Sequence, residues 1–431
     1  MKSFLIIVIA VLFLISPRWV PAETPTVTLD ELLAEVIKNN PEIQAAESRS
    51  VAAEAKSPQA RALPDPVLSF VTRNNDGNPV PFTELGNDPI SSIGFMWEEA
   101  FPFPGKLALA GEVAQKEADA AKADIQTVRW RITGDLKQTF YEYFHADKSI
   151  QILNSSLELL RHFEEIARER YRVGEGIQQD VLRAQVEISI LQQRITSIEQ
   201  EKATAAAKIN QLLNRPVDAP LADPAEITET KVSIPENVLD ASLISRSPRI
   251  QSQEAIAASQ QSGLDLAKKQ FRPDFVSSVE YANSPDFPDM WKIQIGLRLP
   301  LFYKSKQQNG VVEATQNLTS AQRELQAIRQ EVAFNIRNQY LQMQASDKLL
   351  KLYDQAVLPQ TNLALESSLA SYQVGKSDFL TTLNNFITLL EYRMNYYAEL
   401  AKHESAIARL EQAIGQSITQ LAPVSGGNNH E

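Results

Sequence analysis

Tyr171-Arg172-Val173-Gly174-Glu175-Gly176 lies inside a run, Gly105 to Arg215, that contains no proline. The glycines interrupt a helical pattern that continues on both sides. The run therefore reads as two very long helices folded back at this hexapeptide. The first arm, Leu107 to Arg172, would measure on the order of 100 Å at about 1.5 Å per residue, longer than an ordinary domain is wide. The returning arm carries a seam at Ile188, Leu191, Ile195, Ile198, Ala205, Ile209 and Leu212, with Lys202 in its one polar slot. Steps alternating three and four are the period of helices packed in a left-handed coil. A cytosolic coiled coil would carry the same seam, so the surrounding sequence has to decide the fold.

Outward from the hairpin, the plan occurs twice. Tyr372-Gln373-Val374-Gly375 answers Tyr171-Arg172-Val173-Gly174, and Ser247-Pro248-Arg249-Ile250-Gln251 answers Asn40-Pro41-Glu42-Ile43-Gln44. Arg272-Pro273-Asp274-Phe275 answers Leu63-Pro64-Asp65-Pro66, and Leu299-Pro300-Leu301-Phe302 answers Phe101-Pro102-Phe103-Pro104-Gly105. The last helix repeats Leu380, Leu383, Ile387, Leu390, Met394, Tyr397 and Ala401 at heptad spacing. Pro359 falls inside the second long helix, where a missing donor predicts a kink or local irregularity. The chain divides into a first repeat at 23–237, with its long hairpin at 105–213, and a second at 238–415, with its hairpin at 303–415. Asn214 to Asn237 reads as a linker or small irregular patch, and 416–431 as a polar tail.

Between the proline stops and the helices the period drops to two, predicting strands at about 66–73, 91–98, 274–282 and 291–299. Phe70, Phe95, Trp97, Trp291, Ile293, Ile295 and Leu297 fall on one face, while Ser278, Glu280, Lys292, Gln294 and Arg298 fall on the other. A sandwich would cover such an apolar face with a core, but the flanking helices already have seams of their own. A lipid-facing barrel wall accounts for the alternation, with Trp97, Trp291 and Tyr281 near strand ends as an aromatic girdle. Four strands cannot close, and an open edge in lipid leaves backbone groups unpaired, so several copies must share one barrel.

Residues 1–22 read as a signal peptide: Lys2, an apolar run from Phe4 to Ile15, and Val20-Pro21-Ala22 before Glu23. Losing Lys2 and Arg18 with it would move the net charge from -11 to -13. An acidic chain argues against a nucleic-acid partner. Without cysteine there are neither disulfides nor a thiol for lipid attachment. Gly174-Glu175-Gly176 lacks the Lys and Ser/Thr of a nucleotide loop. His145, His162, His403 and His430 are scattered and read as helix-surface residues, and Met96, Met290, Met343 and Met394 form no soft-metal ladder. Glu98-Glu99 reads as a solvated rim. No nucleophile–base pair has supporting spacing, so neither enzyme chemistry nor a cofactor is indicated. A periplasmic helical adaptor or scaffold is the rival reading, but it would not interrupt its helices twice with strand hairpins.

Taken together, the doubled plan, the strand hairpins, the Phe-Pro-Phe-Pro-Gly swivel and the paired Tyr-x-Val-Gly turns resemble the TolC family of outer-membrane efflux proteins. The likeness covers nearly the whole chain after the signal. It implies a mainly α protein with a small β part in two structural repeats: helical hairpins forming an α-barrel, and four strands per chain contributing to a twelve-stranded barrel in a homotrimer. It further implies the outer membrane of a Gram-negative bacterium, a helical tunnel in the periplasm, and docking to a periplasmic adaptor and an inner-membrane pump for efflux or type I secretion. By the same resemblance the tunnel tip is gated near Gly174 and Gly375, with Tyr372 hydrogen-bonded to Asp180. The family's lock arginine falls at Ser377 and its acidic constriction at Thr381 and Asn384, all lacking those charges; Asp378 is the nearest carboxylate that could stand in.

Overall fold

The computed structural model describes residues 26–75, 85, 90–232 and 241–418. The signal segment 1–22, much of the 74–89 loop, His430 and the tail beyond 418 lie outside the described residues.

Helix α1 (Leu29–Asn39) opens on a capping box, in which the Thr28 hydroxyl accepts from the Glu31 N–H and the Glu31 carboxylate accepts from the Thr28 N–H. Asn40 then caps α2 (Pro41–Arg61). A short strand β1 (Thr26–Val27) pairs in parallel with β4 (Asp223–Pro224), a bridge within the stretch read from sequence as irregular.

Helix α3 (Lys106–Arg172) is one unbroken helix of 67 residues, roughly 100 Å long. It returns as α4 (Gln178–Leu212). In the second repeat α5 (Ala241–Arg246) and α6 (Pro248–Lys269) precede the strands. The descending arm is α7 (Gln307–Leu352), a π-helical turn (Tyr353–Val357) and α8 (Leu358–Gln373); α9 (Phe379–Ile414) returns. The irregularity at Pro359 is thus a π turn rather than a break. The Leu358 N–H donates to the Tyr353 carbonyl, five residues back, just where the proline has no donor to offer.

The helices form one layer. Toward the strands its lateral order is α2, α3, α6, α7; toward the hairpin tips it is α4, α3, α9 and the α7–α8 arm. So α3 and the α6/α9 stack are interior, and the α2/α4 stack and the α7–α8 arm are the edges. Apolar residues stay exposed on both edges: Leu182, Val186 and Ile190 on α4, and Phe334, Leu341, Leu352 and Leu363 on α7 and α8. The tip half holds one core, with Leu153, Leu160, Phe163, Leu191, Phe379, Phe386 and Leu390. In α9 the buried stripe is wider than the heptad: Phe379, Phe386 and Leu389 are inside, while Leu380 is exposed, because this helix packs on both α3 and α8. The polar slot of α4 is filled on purpose: Lys202 donates to Asp147 at 2.5 Å and Asp223 at 2.7 Å. Burial alone would lower the Lys202 pKa, but those two hydrogen bonds outweigh it and hold it above its usual range. His403, read as a surface residue, is instead buried against Glu404. Glu404 also accepts from the Thr230 N–H and hydroxyl, so a distant segment closes over this part of α9, which the helix sequence alone cannot reveal.

Strands β2 (Val67–Arg73), β3 (Ser92–Phe101), β5 (Asp274–Asn283) and β6 (Met290–Arg298) form one antiparallel sheet in the order β2-β3-β5-β6. The pairs Phe70↔Phe95↔Tyr281↔Trp291 and Leu68↔Trp97↔Val279↔Ile293 set one apolar face; Glu98↔Ser278↔Gln294 and Met96↔Glu280↔Lys292 set the other. Trp97 is not near a strand end: β3 continues to Phe101, paired with Phe275, which leaves Trp97 at mid-strand. Trp291 and Tyr281 do sit at the loop end, rings 5.1 Å apart.

Candidate functional sites at the sheet face and the hairpin tip

Nothing among the described residues covers the apolar sheet face. Phe70, Phe95, Trp97, Trp291, Ile293 and Leu297 are all exposed, and Ile295 reaches 81%. The sheet also has two free edges, and every residue of β6 is exposed. A face of this size and composition cannot be left to water.

The second site is built by the two turns. Gly174 and Gly375 adopt φ of +81° and +73°, the left-handed conformation that ends a helix. The turns match bond for bond: Gly174 N–H donates to the Tyr171 carbonyl and Glu175 N–H to Arg170, while Gly375 N–H donates to Tyr372 and Lys376 N–H to Ser371. No side chain lies within 4 Å of a Cβ placed on Gly174, so that glycine is required by its backbone angle and not by space.

What joins the tips was not foreseen. Arg170, on the last turn of α3, donates to the Tyr372 carbonyl across the gap and to the Glu175 carbonyl of its own turn. Its guanidinium also lies 5.0 Å from the Tyr372 ring centroid. Tyr372 is 4% exposed, and its ring meets Phe379 edge-on at 5.6 Å. The phenol–carboxylate bond implied by the resemblance is not made within the protomer: the Tyr372 hydroxyl is buried without a partner. Asp180 is nonetheless close. Burial first, and then the Asp180 charge, raise the Tyr372 pKa, with Arg170 opposing. Burial and the Asp378 charge raise the Asp180 pKa against Arg170 and Arg183. Asp378 is engaged as the cap of α9, accepting from the Thr381 N–H at 2.8 Å and the Thr381 hydroxyl at 2.9 Å, which holds its pKa low. Tyr372, Asp180, Asp378, Arg170 and Arg183 line one cavity of about 400 Å³ at the tip. Such a cluster of charges on paired turns can fasten or release two hairpins; it holds no arrangement for bond-making chemistry.

The model of the outer membrane efflux protein family matches residues 32–215 and 241–416. The chain belongs to that family. This outer membrane efflux protein is similar to the cobalt-zinc-cadmium resistance protein CzcC of Cupriavidus metallidurans, 21% identical across 96% of this chain and 100% of that one. It is also similar to the pyoverdine export outer membrane protein OpmQ of Pseudomonas putida, 22% identical across 73% of this chain and 68% of that one. Among solved structures, the outer membrane protein VceC of Vibrio cholerae superposes with a TM-score of 0.76 at 18% identity, covering 90% of this chain and 96% of that one. CusC does so with a TM-score of 0.76 at 18% identity, covering 90% and 92%. The fold is that of these channels, and the chain is an outer-membrane exit duct of tripartite efflux.

Proposed function

We propose that three copies of this efflux protein share one twelve-stranded barrel and one helical tunnel. The tunnel hangs in the periplasm, is gated at the Arg170–Tyr372 tip, and docks there onto a periplasmic adaptor and an inner-membrane pump. The sheet carries this reading. Four antiparallel strands leave β2 and β6 antiparallel to each other, so β6 of one copy can pair with β2 of the next without changing the pattern. Closure satisfies the free edges, and lipid takes the apolar face. The exposed apolar rows on the α4 and α7–α8 edges have the same resolution: each meets the other on a neighbouring copy. The repeats 23–237 and 238–415 then alternate around the ring. The gate residues are Tyr372 and Asp180, as the resemblance implies, with Asp378 as the stand-in carboxylate and Arg170 added as the clasp between tips.

The relatives' names span cobalt-zinc-cadmium resistance and pyoverdine export, so we read one duct design as serving different cargo and assign selectivity to the pump. The chain's lack of cysteine makes the assembly directly testable. Cysteine pairs introduced on the outward ends of β2 and β6, scanned over several registers, should crosslink into a ladder ending at the trimer. No intermolecular crosslink at any register, in protein extracted from membranes, would overturn the shared barrel.

A further inference from the structure

A second cavity, of about 440 Å³, opens where the end of α9 meets the start of α6, walled by α3 and α7. Its floor is set by the interior elements α3, α6 and α9, and its far wall by the edge helix α7, so all of its lining residues come from one chain. Its lining contains three guanidinium groups and no carboxylate. Two of the three are spoken for. Arg131 donates to Glu42 at 2.5 Å and lies 3.6 Å from Asp135; Arg249 makes two bonds to Glu331, at 2.7 and 2.9 Å. The third is not. Among the described residues Arg409 pairs with no carboxylate, and donates only through Nε to the Gln138 side-chain amide oxygen, at 2.8 Å.

The decisive group is Gln339. It is 8% exposed, it lines the cavity, and its Oε1 is buried without a hydrogen-bond partner. Leaving a buried amide oxygen unbonded is costly, whereas an apolar residue at the same helix position carries no such penalty. An orphaned amide oxygen and an unneutralised guanidinium lining one cavity are what a ligand would complete. Arg409 calls for an anionic oxygen, and Gln339 for a hydroxyl or amine donor.

We propose that this cavity binds a small carboxylate that also carries a hydroxyl or amino group, its carboxylate on Arg409 and its donor on the Gln339 amide. Such a ligand would tie α9, α3 and α7 together at the point where the helix stack changes over. The inference does not depend on the trimer, because all of its walls come from one chain.

Citrate, a hydroxycarboxylate, is the probe, titrated calorimetrically into the detergent-purified full-length protein against chloride of matched ionic strength. The same samples are sized, so a failure of assembly is seen separately from a failure of binding. Binding should saturate and raise the melting temperature. Arg409→Gln should weaken it by about tenfold or more, the loss of one charge-assisted bond. Gln339→Leu should abolish the citrate-induced shift while melting no lower than the parent without citrate, a combination a purely structural glutamine would not give. No saturable heat with citrate, or undiminished binding in both variants, would overturn the site.

Discussion

Arg170 joins the two hairpins of a protomer through a side chain and a backbone carbonyl, that of Tyr372. Truncating it removes a charge-assisted bond between the tips and the cation over the Tyr372 ring, on the order of 1.5–3 kcal/mol in a shielded site. The Tyr372 hydroxyl makes no bond within the chain, so Tyr372→Phe removes less. Arg170→Gln should therefore raise single-channel conductance in planar bilayers more than Tyr372→Phe; the reverse ranking would return the lock to the phenol. A second residue-scale prediction concerns Glu229, whose pKa is raised by burial and then by its hydrogen bond to Asp347, while Asp347, hydrogen-bonded to Lys351 and Glu229, lies below its ordinary value despite burial. A raised carboxyl stabilises the fold below its unfolded value near pH 4.5, and that contribution is lost as pH rises through the folded value. Glu229→Gln can donate to Asp347 without needing a proton. It should remove this pH dependence and raise the melting temperature at pH 7.5 by about 1–2 °C, with no gain at pH 4. A variant that melts lower at pH 7.5 would refute the shared proton.

At the scale of elements, Lys202 shows how one polar slot is held in a long seam. Asp147, its partner, has a side chain 8% exposed. Lys202→Met should cost roughly 2 kcal/mol, below the full penalty of an orphaned buried charge because Gln151 still donates to Asp147 and Lys202 is partly wet. Adding Asp147→Leu should recover most of that loss in a denaturant melt; additive losses would refute the pairing. Pro359 makes a complementary case. The π turn has already absorbed the missing donor, so Pro359→Ala should gain well under the ~3 kcal/mol that an interior proline usually costs. The long helices, the duplicated turns and the alternation of β6 were legible in the sequence because each is a local period imposed by one neighbour. The stripe of α9 was misjudged because two helices pack on it from different sides. Arg170 was invisible for another reason: its partners are carbonyls of Tyr372 and Glu175, and a backbone acceptor leaves no trace in residue type. Tyr372 and Asp180 were placed near one another by resemblance alone, with Asp378 as the nearest stand-in carboxylate; within the protomer the Tyr372 hydroxyl makes no bond to Asp180, and Asp378 caps its own helix.

At the scale of the whole molecule, the protomer is unfinished. Its sheet offers lipid a face but ends in two open edges, and its helical layer ends in two apolar rows. Both defects lie along the same two sides and are removed by the same operation, the addition of identical copies in a ring. Among the described residues no core backs the apolar sheet face, so burial that an isolated chain lacks there has to come from assembly and from the bilayer. The most direct test is the mass of the detergent-extracted particle by light scattering, with detergent subtracted. A particle of three protomers that dissociates to one on heating is the predicted result; a particle of one 48.1 kDa chain or less, unchanged on heating and soluble once detergent is withdrawn, would contradict it.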